Sequence, residues 1–177
     1  MESPEVVLAR AAKIKCLILD VDGVLTDGRI VLGNYGDELK FFDIHDGHGV
    51  VMLNRAGIKT LIVSGRKSRI NVKRAKEMRV TKVYQDAHDK LKVFEKIVKK
   101  YHVNPEEVCY IGDDLIDLPV LSRAGLSVAV RNAVAEVRHA AHYVTERPGG
   151  RGAVREVTDL LLKAQGRWDE LMEKYLR

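Results

Sequence analysis

The stretch Cys16-Leu17-Ile18-Leu19-Asp20-Val21-Asp22-Gly23-Val24-Leu25-Thr26 joins a short apolar run to two carboxylates one residue apart. Residues 16–20 have the length and composition of a buried strand. Carboxylates at i and i+2 just past its end repel each other, and burying them is costly unless a cation or a shared proton offsets the charge. Gly23 lets the backbone turn closely around whatever binds there. An Asx-turn in an ordinary loop uses the same residue types. The other strand ends therefore decide the reading.

Further apolar runs at 59–64, 82–84, 108–111, 127–129 and 143–144 read as strands. Amphipathic stretches at 47–56, 69–78, 90–101, 115–123, 133–139 and 153–165 read as helices between them. In the stretch 90–101, Leu91, Phe94, Ile97, Val98 and Tyr101 share one face while its other lysines and Glu95 fall mostly elsewhere. Strictly alternating strands and helices predict an α/β fold, a three-layer Rossmann-like parallel sheet with helices on both faces. Ligands bind such sheets outside the carboxyl ends of the strands. One segment breaks the alternation. Around Gly33-Asn34-Tyr35-Gly36, residues 28–43 carry two strand-like runs, which predicts a β-hairpin inserted after the first strand.

Three more strand ends carry polar groups. Gly112-Asp113-Asp114-Leu115-Ile116-Asp117 places three carboxylates within five residues. Helix capping would account for one of them, not three. With Asp20 and Asp22 they make an oxygen-rich edge suited to a hard divalent cation, magnesium above all. Ser64-Gly65-Arg66 ends another strand with a hydroxyl and free backbone N–H groups that suit phosphate oxygens, although such a pair is also an ordinary turn. A lone helix lysine is ordinarily a solvated surface charge, but Lys90 opens a helix at the unfavourable end of its dipole, where a lysine gains from a neighbouring phosphate or carboxylate cluster.

These four features, in this order and each at a strand end, resemble the haloacid dehalogenase superfamily. Within it, five stretches look like 3-deoxy-D-manno-octulosonate 8-phosphate phosphatases: residues 19–28, Asp46-Gly47-His48-Gly49, Ser64-Gly65-Arg66, residues 112–119, and 149–157, which begin Gly149-Gly150-Arg151-Gly152. The resemblance spans residues 14–165. It implies magnesium-dependent hydrolysis with Asp20 as nucleophile and metal ligand. Asp22 would be the general acid/base, with its carbonyl on the metal. Ser64 and Lys90 would hold the phosphoryl group, with Asp113 on the metal, Asp114 near it through water and Asp117 positioning Lys90. Gly65, Arg66, Asp46 and Arg151 are the candidate substrate contacts. The family lacks a large cap domain and uses the hairpin to build a homotetramer.

Many family members have Arg-Asp-Gly-Tyr-Gly where this chain has His45-Asp46-Gly47-His48-Gly49. The two histidines are either a second metal site or simply hydrogen-bonded side chains. In the tail 166–177, Trp168, Leu171, Met172, Tyr175 and Leu176 recur at helical spacing. That segment is either a docking helix for a neighbouring subunit or a packed terminal helix.

Composition bounds these readings. With 177 residues, 46% apolar and 31% charged, the chain fits one domain, 1–177. No apolar run approaches the ~18 residues that cross a bilayer, and no basic and apolar leader is visible, so the expected location is cytoplasmic, with no membrane partner. Cys16 and Cys109 read as buried thiols. The net charge of +5 reads first as a solvated basic surface. No aromatic residues interleave with the basic run 67–76, which argues against nucleic acid, and the charge also suits an acidic sugar phosphate. Two rivals stand beside the octulosonate 8-phosphate: a sialic-acid-type 9-phosphate as substrate, and a non-catalytic module that keeps the fold.

Overall fold

The computed structural model describes residues 2–176. Met1 and Arg177, the ends of the expected unit and of the expected tail, lie outside the described residues. Strand β1 (Cys16–Leu19) is wholly buried and pairs in parallel with β4 (Lys59–Val63) on one side and β6 (Val108–Gly112) on the other. Beyond them, β5 (Lys82–Tyr84), β7 (Leu126–Ala129) and β8 (Tyr143–Val144) complete a parallel sheet in the order β5-β4-β1-β6-β7-β8. Six expected strands are thus six observed strands, with no end displaced by more than one residue. The chain first builds outward from β1 to β5, then returns to β6. This reversal places the sheet's switch point between β1 and β6, where the two aspartate-rich segments emerge side by side.

Helices cover both faces. On one, α1 (Pro4–Ala11), α2 (Ile44–Arg55) and α7 (Ala153–Ala164) pack together; on the other lie α4 (Lys90–Tyr101), α5 (Leu118–Leu121) and α6 (Ala135–Ala140). Helix α3 (Arg69–Glu77) connects β4 to β5. Helix α1 has no counterpart in the expected elements; it opens with Pro4, a favoured first-turn residue, and buries only Val7 and Ala11. The predicted helix at 115–123 is a 3-10 turn, Leu115–Asp117, running into short α5, because Pro119 and the Asp114 cap set two different starts.

Helix α2 begins at Ile44, three residues before its predicted start. Its glycines serve packing: a Cβ on Gly49 would lie 2.2 Å from Thr158 Oγ1 of α7. The two helices can approach only because nothing projects there. The predicted hairpin is present but small, with β2 (Val31–Leu32) antiparallel to β3 (Glu38–Leu39). No cap domain is present among the described residues. Helix α8 (Trp168–Leu176) folds back on its own chain: Leu171 is buried, the Arg167 guanidinium donates to the Ala56 carbonyl, and Tyr175 reaches Arg55 and His48. The cysteines are free and buried; on adjacent strands, offset by one position, they face opposite sides of the sheet. No described helix is long and apolar enough to cross a membrane.

Candidate active site

Asp20 leaves β1 with only 5% exposure, and its Oδ2 lies 3.0 Å from Lys90 Nζ. Lys90 is the first residue of α4, whose cap is Asp89, and its ammonium also donates to Asp117 Oδ1 at 2.7 Å. The two carboxylates resolve the misfit of a buried cation at a helix start. Burial by itself would depress the Lys90 pKa, but Asp20 and Asp117 outweigh it and hold it above its usual value. Asp117 is fully buried and fully occupied. Its Oδ1 also accepts from Tyr110 Oη at 2.5 Å, and its Oδ2 accepts from the backbone N–H groups of Asp113 and Asp114 at 3.0 and 3.3 Å.

Asp113 completes the cluster. One oxygen each of Asp20, Asp113 and Asp117 lies within 4.8 Å of the others. Gly23, at φ +94°, is the condition for this: a Cβ there would sit 1.9 Å from Asp113 Oδ2. Asp113 Oδ1 is buried with no hydrogen-bond partner among the described residues. A buried carboxylate oxygen left open beside two other acids suits a divalent cation, and the oxygen-only donor set suits a hard one. Asp117 belongs to the cluster but has no free lone-pair direction, so Asp20 and Asp113 are the side chains able to hold the ion.

Burial raises Asp20 to about 7, with Lys90 opposing and Asp117 adding to the shift. Burial, then Asp20 and Asp117, raises Asp113 to about 8. Both folded-state values exceed the ordinary 3.8, so the metal-free folded protein holds protons that the unfolded chain has released. Their contribution to stability is whole below about pH 4 and is lost as pH rises through 7 to 8. A divalent cation replaces those protons. Melting curves in chelator should therefore fall progressively from about pH 4 and level off above about pH 8, and the stabilisation on adding magnesium should grow over the same interval. An Asp113→Asn protein should lose most of both effects; a magnesium shift that did not depend on pH would count against this assignment.

The remaining expected residues fall into distinct settings. Asp22 follows Asp20 in the chain, yet its carboxylate turns to the hairpin, where Lys40 Nζ lies 2.5 Å from Oδ1 and Arg66 Nε 3.8 Å from Oδ2. Ser64 is buried; its Oγ accepts from the Arg66 N–H at 3.2 Å and donates to the Arg66 carbonyl at 3.1 Å, which closes the turn through Gly65. Asp114 caps the following 3-10 turn, accepting from the Leu115 N–H at 2.7 Å. Arg151 lines a cavity of about 290 Å³ with Asp27, Arg29, Phe41, Phe42 and Asp43 at the base of the hairpin.

Asp46, expected among the substrate contacts, has another task here. It is 1% exposed, and its two oxygens accept the backbone N–H groups of Gly152 at 3.3 Å and Arg155 at 2.7 Å. It caps α7 from α2, so neither oxygen faces solvent. An Asp46→Ala protein should lose about 2 kcal/mol of unfolding free energy, because two donors at the α7 N-terminus lose their acceptor. Urea denaturation reads this directly, and a loss under about 0.5 kcal/mol would contradict it. Both flanking histidines are hydrogen-bonded: His45 Nδ1 lies 3.0 Å from Asp43, and His48 Nε2 lies 2.9 Å from the Tyr175 hydroxyl.

Three residues around the site escaped the reading of the sequence: Tyr110, Lys40 and Glu38, whose Oε1 lies 3.8 Å from Lys40 Nζ. A tyrosine inside a fully buried strand must find a partner for its hydroxyl, and Tyr110 stands seven residues before Asp117. Lys40 is a charge inside the otherwise apolar run Leu39–Phe42, a signal that was visible but had no partner to interpret it.

A parallel sheet whose switch point carries paired aspartates, a serine turn and a buried lysine defines a haloacid dehalogenase-like hydrolase, and the family model of that description matches residues 67–156. The chain is 49% identical over 164 residues to 3-deoxy-D-manno-octulosonate 8-phosphate phosphatase of Escherichia coli K12, covering 93% of this chain and 87% of that one. The crystal structure of the Yersinia pestis phosphatase of the same name aligns at TM-score 0.92 and 47% identity, over 93% of this chain and 89% of that one. A Moraxella catarrhalis phosphatase of that name, solved with magnesium, phosphate and the sugar acid, aligns at TM-score 0.96 and 37% identity over 98% and 99%. The chain belongs to the 3-deoxy-D-manno-octulosonate 8-phosphate phosphatase family and is a phosphoric monoester hydrolase.

Proposed function

We propose that this chain uses magnesium to hydrolyse 3-deoxy-D-manno-octulosonate 8-phosphate to the free sugar acid and phosphate, through a phosphoryl group carried on Asp20. The observation that carries this reading is the buried Lys90 bridge between Asp20 and Asp117, beside an Asp113 oxygen that has no partner. Asp20, Asp113 and the Asp22 carbonyl would hold the ion. Bound there, magnesium neutralises charge on the transferring phosphoryl group and keeps Asp20 ionised.

The chain's own groups supply the rest. Lys90, the Ser64 hydroxyl and the Gly65 N–H hold the phosphoryl oxygens, and Asp117 keeps Lys90 aimed at them. An Asp20 oxygen forms the new bond to phosphorus as the bond to the sugar oxygen breaks. The bonding electrons leave with that oxygen, and Asp22 supplies its proton. Asp22 then takes a proton from water as water attacks the aspartyl-phosphate and frees Asp20. Arg66 and Arg151 would meet a substrate that carries both phosphate and carboxylate.

Phosphate release tests the reading, with magnesium present and a panel of octulosonate 8-phosphate, sialic-acid-type 9-phosphates and hexose phosphates. The octulosonate should win by at least ~10-fold in kcat/KM. Preference for a 9-phosphate would move the substrate but keep the mechanism, whereas turnover of none of them would favour a non-catalytic module. The same reading places the protein in the cytoplasm, as the phosphatase of lipopolysaccharide precursor synthesis. It also makes the protein a homotetramer built on the hairpin, whose Leu32, Tyr35, Leu39 and Phe41 are exposed.

A further inference from the structure

The hairpin reaches the catalytic aspartates through a ring of alternating charges. Lys40 follows directly on β3, and its side chain is 2% exposed with Nζ 2.5 Å from Asp22 Oδ1. Glu38 Oε1 lies 3.8 Å from the same ammonium and 3.3 Å from the Arg66 guanidinium. Arg66 in turn lies 3.8 Å from Asp22 Oδ2, which closes the ring. The other Glu38 oxygen accepts from Ser68 Oγ at 2.7 Å, so the glutamate is pinned to the start of α3. Three segments meet here: the Asp20–Asp22 loop, the hairpin and the Ser64–Ser68 turn.

Holding a two-stranded hairpin in place does not require this. Taking an ammonium out of water carries a desolvation penalty of several kcal/mol, and an apolar side chain of the same length would anchor the strand at least as well. What an apolar side chain could not do is direct the Asp22 carboxylate. Asp22 has two rotatable bonds, and its side chain is 23% exposed. Without Lys40, its only cationic contact among the described residues is Arg66 at 3.8 Å, a side chain that is 45% exposed.

We propose that Lys40 is a positioning residue for proton transfer: it holds the Asp22 carboxylate in line with the leaving-group oxygen, and Glu38 holds Lys40. This rests on the acid/base role given to Asp22 above. It makes the hairpin a functional part of each active site, whatever its part in assembly. The sequence consequence is that a cationic side chain must follow directly on β3.

The test is kcat/KM, which reports steps only through leaving-group departure, for octulosonate 8-phosphate and for p-nitrophenyl phosphate with saturating magnesium. An alkoxide needs a proton to leave; p-nitrophenolate does not. Lys40→Met should lower kcat/KM for the sugar phosphate about 30-fold and for the aryl phosphate less than about 3-fold, because general acid catalysis contributes ~10²–10⁴-fold. Lys40→Arg should recover most of the loss. In an Asp22→Asn background, Lys40→Met should cost nothing further. A melting temperature measured beside each assay separates loss of fold from loss of positioning, and Lys40→Gln replaces the Met variant if that does not fold. Equal losses on both substrates, or a Lys40→Met loss that repeats in full in the Asp22→Asn background, would overturn the role of Lys40 alone. An Asp22→Asn enzyme with an unchanged ratio between the two substrates would instead overturn the acid/base reading, and Lys40 with it.

Discussion

Asp20→Asn is expected to lower turnover of the sugar phosphate by at least ~10⁴-fold, with the fold intact. The amide has the shape of the carboxyl but no nucleophilic oxygen of comparable strength, and no later step can begin without the bond to phosphorus. Packing should survive. Asp20 is 5% exposed, yet the charge it contributes is one that burial and Asp117 both oppose. Lys90 keeps its second partner, Asp117 Oδ1, at 2.7 Å. Chelated protein should therefore melt at the wild-type temperature or slightly above it. The pair of measurements is a single-turnover assay, following transfer of labelled phosphate to protein, and a melting curve. Normal activity with Asn at this position would remove the covalent mechanism outright.

Lys90→Met should damage both activity and stability. Lys90 is the cation among Asp20, Asp113 and Asp117, and its side chain is 1% exposed. Removing one partner of a buried charge group leaves the others uncompensated, which costs about 3–5 kcal/mol. In a chain of this size that is a fall of about 10 °C or more in the metal-free melting temperature. The loss should shrink at low pH, where the carboxyls hold protons, and with magnesium, which offsets the same charge. Turnover should fall about 10²–10³-fold, as when one preorganised donor to a transition-state oxygen is removed. Loss of turnover with unchanged metal-free stability would show that Lys90 does not balance the cluster.

The gathering of these polar residues at one sheet edge was legible because their signals are local at each strand end. Asp20, Ser64, Lys90 and Asp113 each stand within a residue or two of a strand or helix boundary set by hydrophobic pattern, and a parallel sheet brings such ends to one edge. Asp46 shows the converse. Its neighbours in sequence mark it as part of a motif, but the groups it serves, Gly152 and Arg155, lie over one hundred residues away. Only the packing of α2 on α7 reveals it as a cap. The glycines beside it likewise suggest a turn in sequence and prove to be a close helix contact. Helix α1 was missed because a short helix that buries two small side chains carries almost no periodic signal.

Hydrophobic alternation and the order of polar strand ends determined the sheet, its parallel sense and the acids that line its edge. These follow from burial and backbone geometry, which act over a few residues at a time. Which carboxylate is free and which is spent was decided by tertiary structure alone. Asp113 and Asp117 stand four residues apart in one motif, yet Tyr110, Lys90 and two backbone N–H groups occupy Asp117 while Asp113 Oδ1 is left open. The pairing of Asp22 with Lys40 is of the same kind. Charge acts through space, so a partner eighteen residues along the chain becomes a neighbour only when the hairpin folds over the site.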